Sequence, residues 1–128
     1  MLELALRDVR REPVRLRDIA EPHGIPSPFL VQILLQLKSV GLVESTRGAA
    51  GGYRLARRPD TISLADIVDA IEGTTATVAP AASATAADQV LQDVWQRLRD
   101  AQHDWLAQTT LAELVERVRG AAAKMYYI

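Results

Sequence analysis

Between Ser27 and Val40 the apolar positions recur at three- and four-residue intervals, the period of an amphipathic helix. At about 100° per residue, Leu30, Ile33, Leu34 and Leu37 form one stripe. Pro28, Gln32, Leu35 and Ser39 fall opposite, with Gln36 at the edge. Gly24-Ile25-Pro26 opens this helix, and Gly41 stands where a left-handed C-terminal cap is wanted. Upstream, Val14 to Glu21 reads as a short helix with Leu16, Ile19 and Ala20 inward, ended by Pro22 and Gly24. A first helix of about Leu2 to Arg10 precedes it. After Gly41 the period changes. Leu42 and Val43 suit a short strand, and Tyr53 and Leu55 alternate around Arg54 as a returning strand would. Gly48, Gly51 and Gly52 permit the tight loop between them.

Beyond this hairpin, Ser63 and Asp66 form a capping box for a helix through Glu72, with Ile67, Val68 and Ile71 as its buried set. Residues 74–85, rich in Ala and Thr and broken by Pro80, have too few large apolar groups to pack and read as a flexible linker. From Ala86 to Leu106 runs the longest helical signal, in which Leu91, Val94, Leu98, Ala101 and Trp105 follow a coiled-coil seam. Val90 and Trp95 widen that face. So long a helix on a small domain has little core of its own to cover it, so pairing with a second copy is expected. Folding back on the first domain is the alternative. Thr110 and Glu113 suggest another capping box for a last helix to about Arg119, with Leu111, Leu114, Val115 and Val118 apolar. Residues 121–128 remain as a tail. The expected fold is mainly α with a small β-hairpin wing. It divides into a winged helix-turn-helix domain over 1–73, the linker, and over 86–120 a long dimerisation helix with a C-terminal packing helix.

A short helix, a Gly-containing turn and a longer second helix form a helix-turn-helix, whose second helix normally enters the major groove. Joined to a hairpin carrying Arg47 and Arg54, it points to double-stranded DNA, since an arginine on a projecting ribbon fits a narrow minor groove or the phosphate backbone. The glycines of the hairpin lack a P-loop's Gly-Lys-Ser/Thr ending, and no helix follows them at once. Charge agrees with a nucleic-acid partner. Residues 1–58 carry ten Lys and Arg against six acids, a net +4, and the remainder five against ten, a net −5. With no cysteine, two scattered histidines and no Gly-x-Ser-x-Gly setting, the chain offers no catalytic constellation, and an enzyme is not expected.

These residues resemble the Rrf2 family of bacterial transcription regulators. The resemblance covers nearly the whole chain. It is carried by Leu16-Arg17-Asp18-Ile19-Ala20, Gln32-Ile33-Leu34, Gly41-Leu42-Val43, Arg47-Gly48, Gly51-Gly52-Tyr53-Arg54-Leu55-Ala56 and Asp69-Ala70-Ile71-Glu72-Gly73. It implies a dimeric DNA-binding regulator with its recognition helix around Pro28, Phe29 and Gln32 and its wing arginine, Arg47, in the minor groove. It also implies that the last helix packs across the dimer onto the partner's winged domain. The chain departs from the family pattern in three places. Many members hold an iron-sulfur cluster with three cysteines where this chain has Thr74 to Thr85, and thiolates are what such clusters require, so no cluster and no other cofactor is expected. The chain opens inside the family's first helix, through a late start site or a shortened helix. In the recognition turn Pro26-Ser27-Pro28 and Val31 replace common family residues, so the operator does not carry over.

The expected DNA contacts are Ser27, Pro28, Phe29, Gln32, Gln36, Arg47, Gly48, Tyr53 and Arg54, and the expected dimer seam is Leu91, Val94, Trp95, Leu98, Ala101 and Trp105. The function expected is a homodimeric transcription regulator, more often a repressor, with an effector, small molecule or protein, of unknown identity. The competing expectation is a winged helix that binds a protein partner through Val31 and Leu35. No apolar run approaches the ~20 residues that cross a bilayer, and the opening has neither a cationic cap nor a cleavage site, so a cytoplasmic protein is expected.

Overall fold

A computed structural model describes residues 1–8, 11–73 and 85–126. The helices are α1 (Leu2–Leu6), α2 (Leu16–His23), α3 (Ser27–Ser39), α4 (Leu64–Glu72), α5 (Ala86–Gln108) and α6 (Leu111–Tyr126). The hairpin strands are β1 (Val43–Thr46) and β2 (Gly52–Leu55), and a single 3-10 turn, Pro59–Thr61, precedes α4. The expected linker falls almost wholly on 74–84, outside the described residues. Only Thr85 is described, and it is the N-cap of α5 and no part of a linker, forming a reciprocal capping box with Asp88. Among the described residues no helix is long and apolar enough to cross a membrane.

The helix-turn-helix is built on two glycine stops. After α2, Gly24 adopts φ 61° and the Ile25 N–H reaches back to the Ala20 carbonyl at 3.0 Å. After α3, Gly41 adopts φ 76° and the Leu42 N–H reaches the Leu37 carbonyl at 3.0 Å. Both are Schellman closures, in which a left-handed residue turns the chain and the next side chain folds onto the last turn. Leu42 and Leu37 are accordingly both buried. Pro22 lies inside α2 rather than ending it, because in the last turn its missing N–H forfeits a single bond.

Two starts differ from expectation. Val14 is not helical: its N–H donates to the Tyr53 carbonyl at 2.7 Å and its carbonyl accepts from the Tyr53 N–H at 2.8 Å. It is thus a one-residue third strand on the free edge of β2, and α2 begins at Leu16. The first helix is also shorter than Leu2 to Arg10. It closes at Leu6, and Arg11 adopts φ 52° as the chain turns toward Val14.

One core joins the pieces. Leu4 and Ala5 of α1, Ile19 and Ala20 of α2, and Leu30, Leu34 and Leu37 of α3 meet Val43, Leu55 and the fully buried Ile62. Leu111 and Val115 of α6 enter the same core. Within one chain, therefore, α6 packs against its own winged domain, along α1 and the 3-10 turn. The resemblance implies that it crosses to a partner; the contacts seen here are those within a single chain. The cause is a backbone clasp: Leu111 N–H donates to the Ile62 carbonyl at 2.9 Å and Leu64 N–H to the Thr109 carbonyl at 2.8 Å. Leu111 and Val115, at the start of α6, thus share the core of the domain expected over 1–73. That helix also continues past Arg119 to Tyr126, so most of the supposed tail is helical. The Thr110 cap forms only by half. Its hydroxyl accepts from the Glu113 N–H at 3.2 Å, while the Glu113 carboxylate turns to Arg117. In α4 the capping box is complete, but Ile71 is exposed and Ala65 takes the buried place.

Helix α5 has no buried residue. It lies against α4, where His103 Nε2 meets Asp69 Oδ2 at 3.1 Å. The hydrogen bond to Asp69, then its charge, raises the His103 pKa above its ordinary 6.5, helped by Asp104 and Asp100 and opposed by desolvation. A raised folded pKa means that the pair contributes fully below the ordinary value and is lost as pH rises through the raised one. Asp69→Asn should return the His103 ring titration, followed by NMR, toward the ordinary value; an unchanged curve would show that this contact does not hold α5 to α4.

Candidate nucleic-acid interface

The outer face of α3 is available. Leu30, Leu34 and Leu37 anchor the opposite stripe in the core, with Ile33 half-buried, so Ser27, Pro28, Phe29, Gln32, Leu35 and Gln36 face outward. Phe29 is 61% exposed and Leu35 52%. Among the described residues neither Gln32 nor Gln36 makes a side-chain hydrogen bond, so both amides are open to base edges. No side chain caps the N-terminus of α3, where Pro26 is the N-cap. The first backbone N–H groups and the positive end of the helix dipole are therefore available to a phosphate.

The wing is an antiparallel hairpin in the register Val43↔Leu55, Glu44↔Arg54, Ser45↔Tyr53 and Thr46↔Gly52. Alternation along a strand sends Val43, Leu55 and Tyr53 to the core side and Glu44 and Arg54 to the outer side. Two side chains connect the hairpin to the helix-turn-helix. Lys38 Nζ, in the last turn of α3, donates to Ser45 Oγ at 2.7 Å. Arg15 Nη2, at the start of α2, donates to the Ala49 carbonyl at the wing tip at 3.1 Å. The tip is thereby tied to the helix pair that presents α3.

The expected contact residues divide into two groups. Ser27, Pro28, Phe29, Gln32 and Gln36 share one exposed helix face, and Arg47 and Gly48 lie exposed at the wing tip. Among the described residues Arg47 makes no ion pair or side-chain hydrogen bond, so its guanidinium is uncommitted. Tyr53 and Arg54 sit in mid-strand instead. Tyr53 is half-buried with its backbone paired on both edges. Arg54 is ion-paired through Nε to Glu44 and donates from Nη1 to the Arg11 carbonyl at 3.3 Å. Arg15 and Lys38, which position the wing, were not among the expected residues. Only their contacts in space mark them, since each is an isolated basic residue in sequence.

A family model described as "Rrf2: Iron-dependent Transcriptional regulator" matches residues 1–117. The chain is similar to the HTH-type transcriptional regulator CymR of Bacillus subtilis, 35% identical over 129 residues that span 100% of this chain and 91% of that protein. Among solved structures it is similar to IscR of T. potens, with a TM-score of 0.76 and 34% identity over 94% of this chain and 80% of that one. It is also similar to the structure of CymR (YrzC), the global cysteine regulator of B. subtilis, with a TM-score of 0.73 and 34% identity over 91% and 87% of the two chains. The iron of the family description finds no matching donors here. The sequence contains no cysteine, and among the described residues no three His, Cys, Asp or Glu side chains are grouped to hold a metal ion.

The wing loop closes on itself so tightly that a β-carbon at Gly51 would collide with the Thr46 carbonyl oxygen, whereas one on Gly120 in α6 would meet nothing. Gly51→Ala should therefore lower stability by about 1–3 kcal/mol, and Gly120→Ala raise it by about 0.5–1 kcal/mol. Urea unfolding midpoints at constant m-value measure both, and equal effects would show that the wing loop is not under this constraint.

Proposed function

From the premise that this chain belongs to the Rrf2 family of transcription regulators, we propose that it acts in the cytoplasm as a homodimeric repressor on a palindromic operator. The observation that carries this reading is the uncommitted Arg47, held on a wing tip that is tied to the helix pair presenting the open face of α3. Ser27, Pro28, Phe29, Gln32 and Gln36 would meet the major groove, and Arg47 and Gly48 the minor groove or its phosphates. Tyr53 and Arg54 would support the wing from within. Two copies would set their recognition helices about one helical turn, ~34 Å, apart and block polymerase by occupancy.

Dimerisation is supported by α5. Leu91, Val94, Trp95, Leu98 and Trp105 are each 49–60% exposed in the single chain, and the small Ala101 is exposed between them. An apolar stripe of this size, with two tryptophans, is what a second copy of the same helix would bury. The clasp between Ile62 and Leu111 fixes the C-terminal end of α5, so a dimer through the seam would set the spacing of the two winged domains. A second reading, a winged helix that docks a protein, draws on the exposed Phe29 and Leu35. The effector, whether small molecule or protein, is left open by this reading.

Binding to the protein's own promoter DNA against scrambled competitor, at two salt concentrations, separates base readout from phosphate attraction. Arg47→Ala should weaken specific binding by about 1–3 kcal/mol, and a phosphate contact would also lower the salt slope by about one. Wild-type affinity in that variant would favour the protein-docking reading. Leu98→Asp places a charge in the seam and should yield monomers in sedimentation equilibrium with an unchanged fold by circular dichroism. A dimer that survives it would move the interface off α5.

A further inference from the structure

At the base of the wing, on its outer face, the chain forms a cavity of about 360 Å³ walled by Arg11, Arg54, Arg57 and Arg58, with Asp8 and Glu44 beside them. We infer that this cavity is a binding site for a small dianion, a phosphate monoester or a short dicarboxylate, separate from the DNA surface. Four guanidinium groups against two carboxylates leave the wall at +2, and Asp60, paired with Arg58 just outside the lining, leaves +1 for the neighbourhood. That charge is held in a space of the size that takes a small metabolite.

The cavity follows from the fold. Strand alternation puts Glu44 and Arg54 on the side of the hairpin away from buried Val43 and Leu55. α3 packs against β1, and the loop of residues 47–51 contributes nothing to the wall. Recognition helix and wing tip are thus on other surfaces. Arg57 and Arg58 come in because the chain turns directly after β2 into the 3-10 turn. Arg11 lies beside Asp8, its N–H donating to the Asp8 carbonyl at 3.0 Å.

Three of the four guanidinium groups are held in place, and most of their donors are unused. Each guanidinium carries five N–H groups in a planar fork suited to carboxylate and phosphate oxygens. Arg54 uses one on Glu44 and one on the Arg11 carbonyl, Arg57 one on the Thr61 carbonyl, and Arg58 one on Asp60 Oδ2 at 2.7 Å. Among the described residues the Arg11 side chain makes no hydrogen bond or ion pair. Its backbone, at φ 52°, is the one non-glycine residue among them in the left-handed region, a strained geometry of the kind that collects at ligand sites. Ala56, exposed at the end of β2, adds a small apolar surface. On the regulator reading above, a ligand that competes for Arg54 would loosen its pair with Glu44 across the hairpin that bears Arg47, and so couple occupancy to the wing.

Isothermal titration of the full chain with glycerol 3-phosphate and with succinate, at constant ionic strength and with chloride as control, tests the site without DNA, so its outcome is independent of the regulator reading. Saturable binding of one probe per chain is expected. It should weaken at least tenfold in Arg57→Gln and in Arg58→Gln, each checked for folding by circular dichroism, and remain unchanged in Arg47→Ala. Which probe binds distinguishes phosphate from dicarboxylate. Arg11→Gln serves where Arg57→Gln fails to fold. Binding of neither probe above chloride, or equal binding in the variants, overturns the site. Displacement of the bound probe by a short random duplex would instead make the cavity a contact for DNA phosphate and would equally overturn the proposal.

Discussion

The wing of this protein depends on β2 being hydrogen-bonded along both edges. On one side it pairs with β1 from Val43 to Thr46, and on the other the Tyr53 backbone closes both bonds with Val14. An isolated two-stranded hairpin is marginal in water, and the third partner, though one residue long, binds the wing to the segment leading into α2. That approach is close enough that a β-carbon on Gly52 would strike the Val14 carbonyl oxygen. Glycine here serves contact between two backbones and not merely a turn. Arg15, next to Val14, can then reach the Ala49 carbonyl, which joins the wing tip to the helix pair.

The second tie lies at the other end of the domain. Ile62 is fully buried, and its carbonyl accepts from Leu111 at the start of α6. Because Leu64 also bonds Thr109, the start of α4 is fixed by this clasp, while further along Asp69 meets His103 of α5. A helix of twenty-three residues is thus held firmly at its C-terminal end and lightly along one side, while its apolar stripe is uncovered. Burying even half of one such large side chain is worth on the order of 1 kcal/mol, so a stripe of this length is a strong drive to association.

Side-chain commitments separate residues that the sequence presents as equals. Arg47 and Arg54 are both arginines of one short basic hairpin, yet among the described residues the first has no side-chain partner at the tip and the second is held by Glu44 and by the Arg11 carbonyl. Register makes the difference. Glu44 stands directly across from Arg54, while Arg47 lies beyond the last paired residues. The same register collects Arg54 with Arg11, Arg57 and Arg58, which are spread over 48 positions of sequence, around one cavity.

The sequence by itself determined what depends on near neighbours. The stripe of α3, the glycine stops at Gly24 and Gly41, the Ser63–Asp66 capping box and the turn glycines of the wing are patterns within a few residues, and each formed as the local chemistry dictates. The family resemblance, resting on the same segments, placed the helix-turn-helix and the wing. What only the tertiary structure decided involves partners far apart in the chain: Val14 with Tyr53, Ile62 with Leu111, Arg15 with Ala49, His103 with Asp69. Val14 read as helical because its own neighbours are helical, and it became a strand because an edge of β2 was open to it. Within the chain, the last helix meets its own domain through two backbone hydrogen bonds and the burial of Leu111, contacts that nothing in its local pattern announces. A periodicity records which face of an element is apolar; it carries no information on which surface will cover that face.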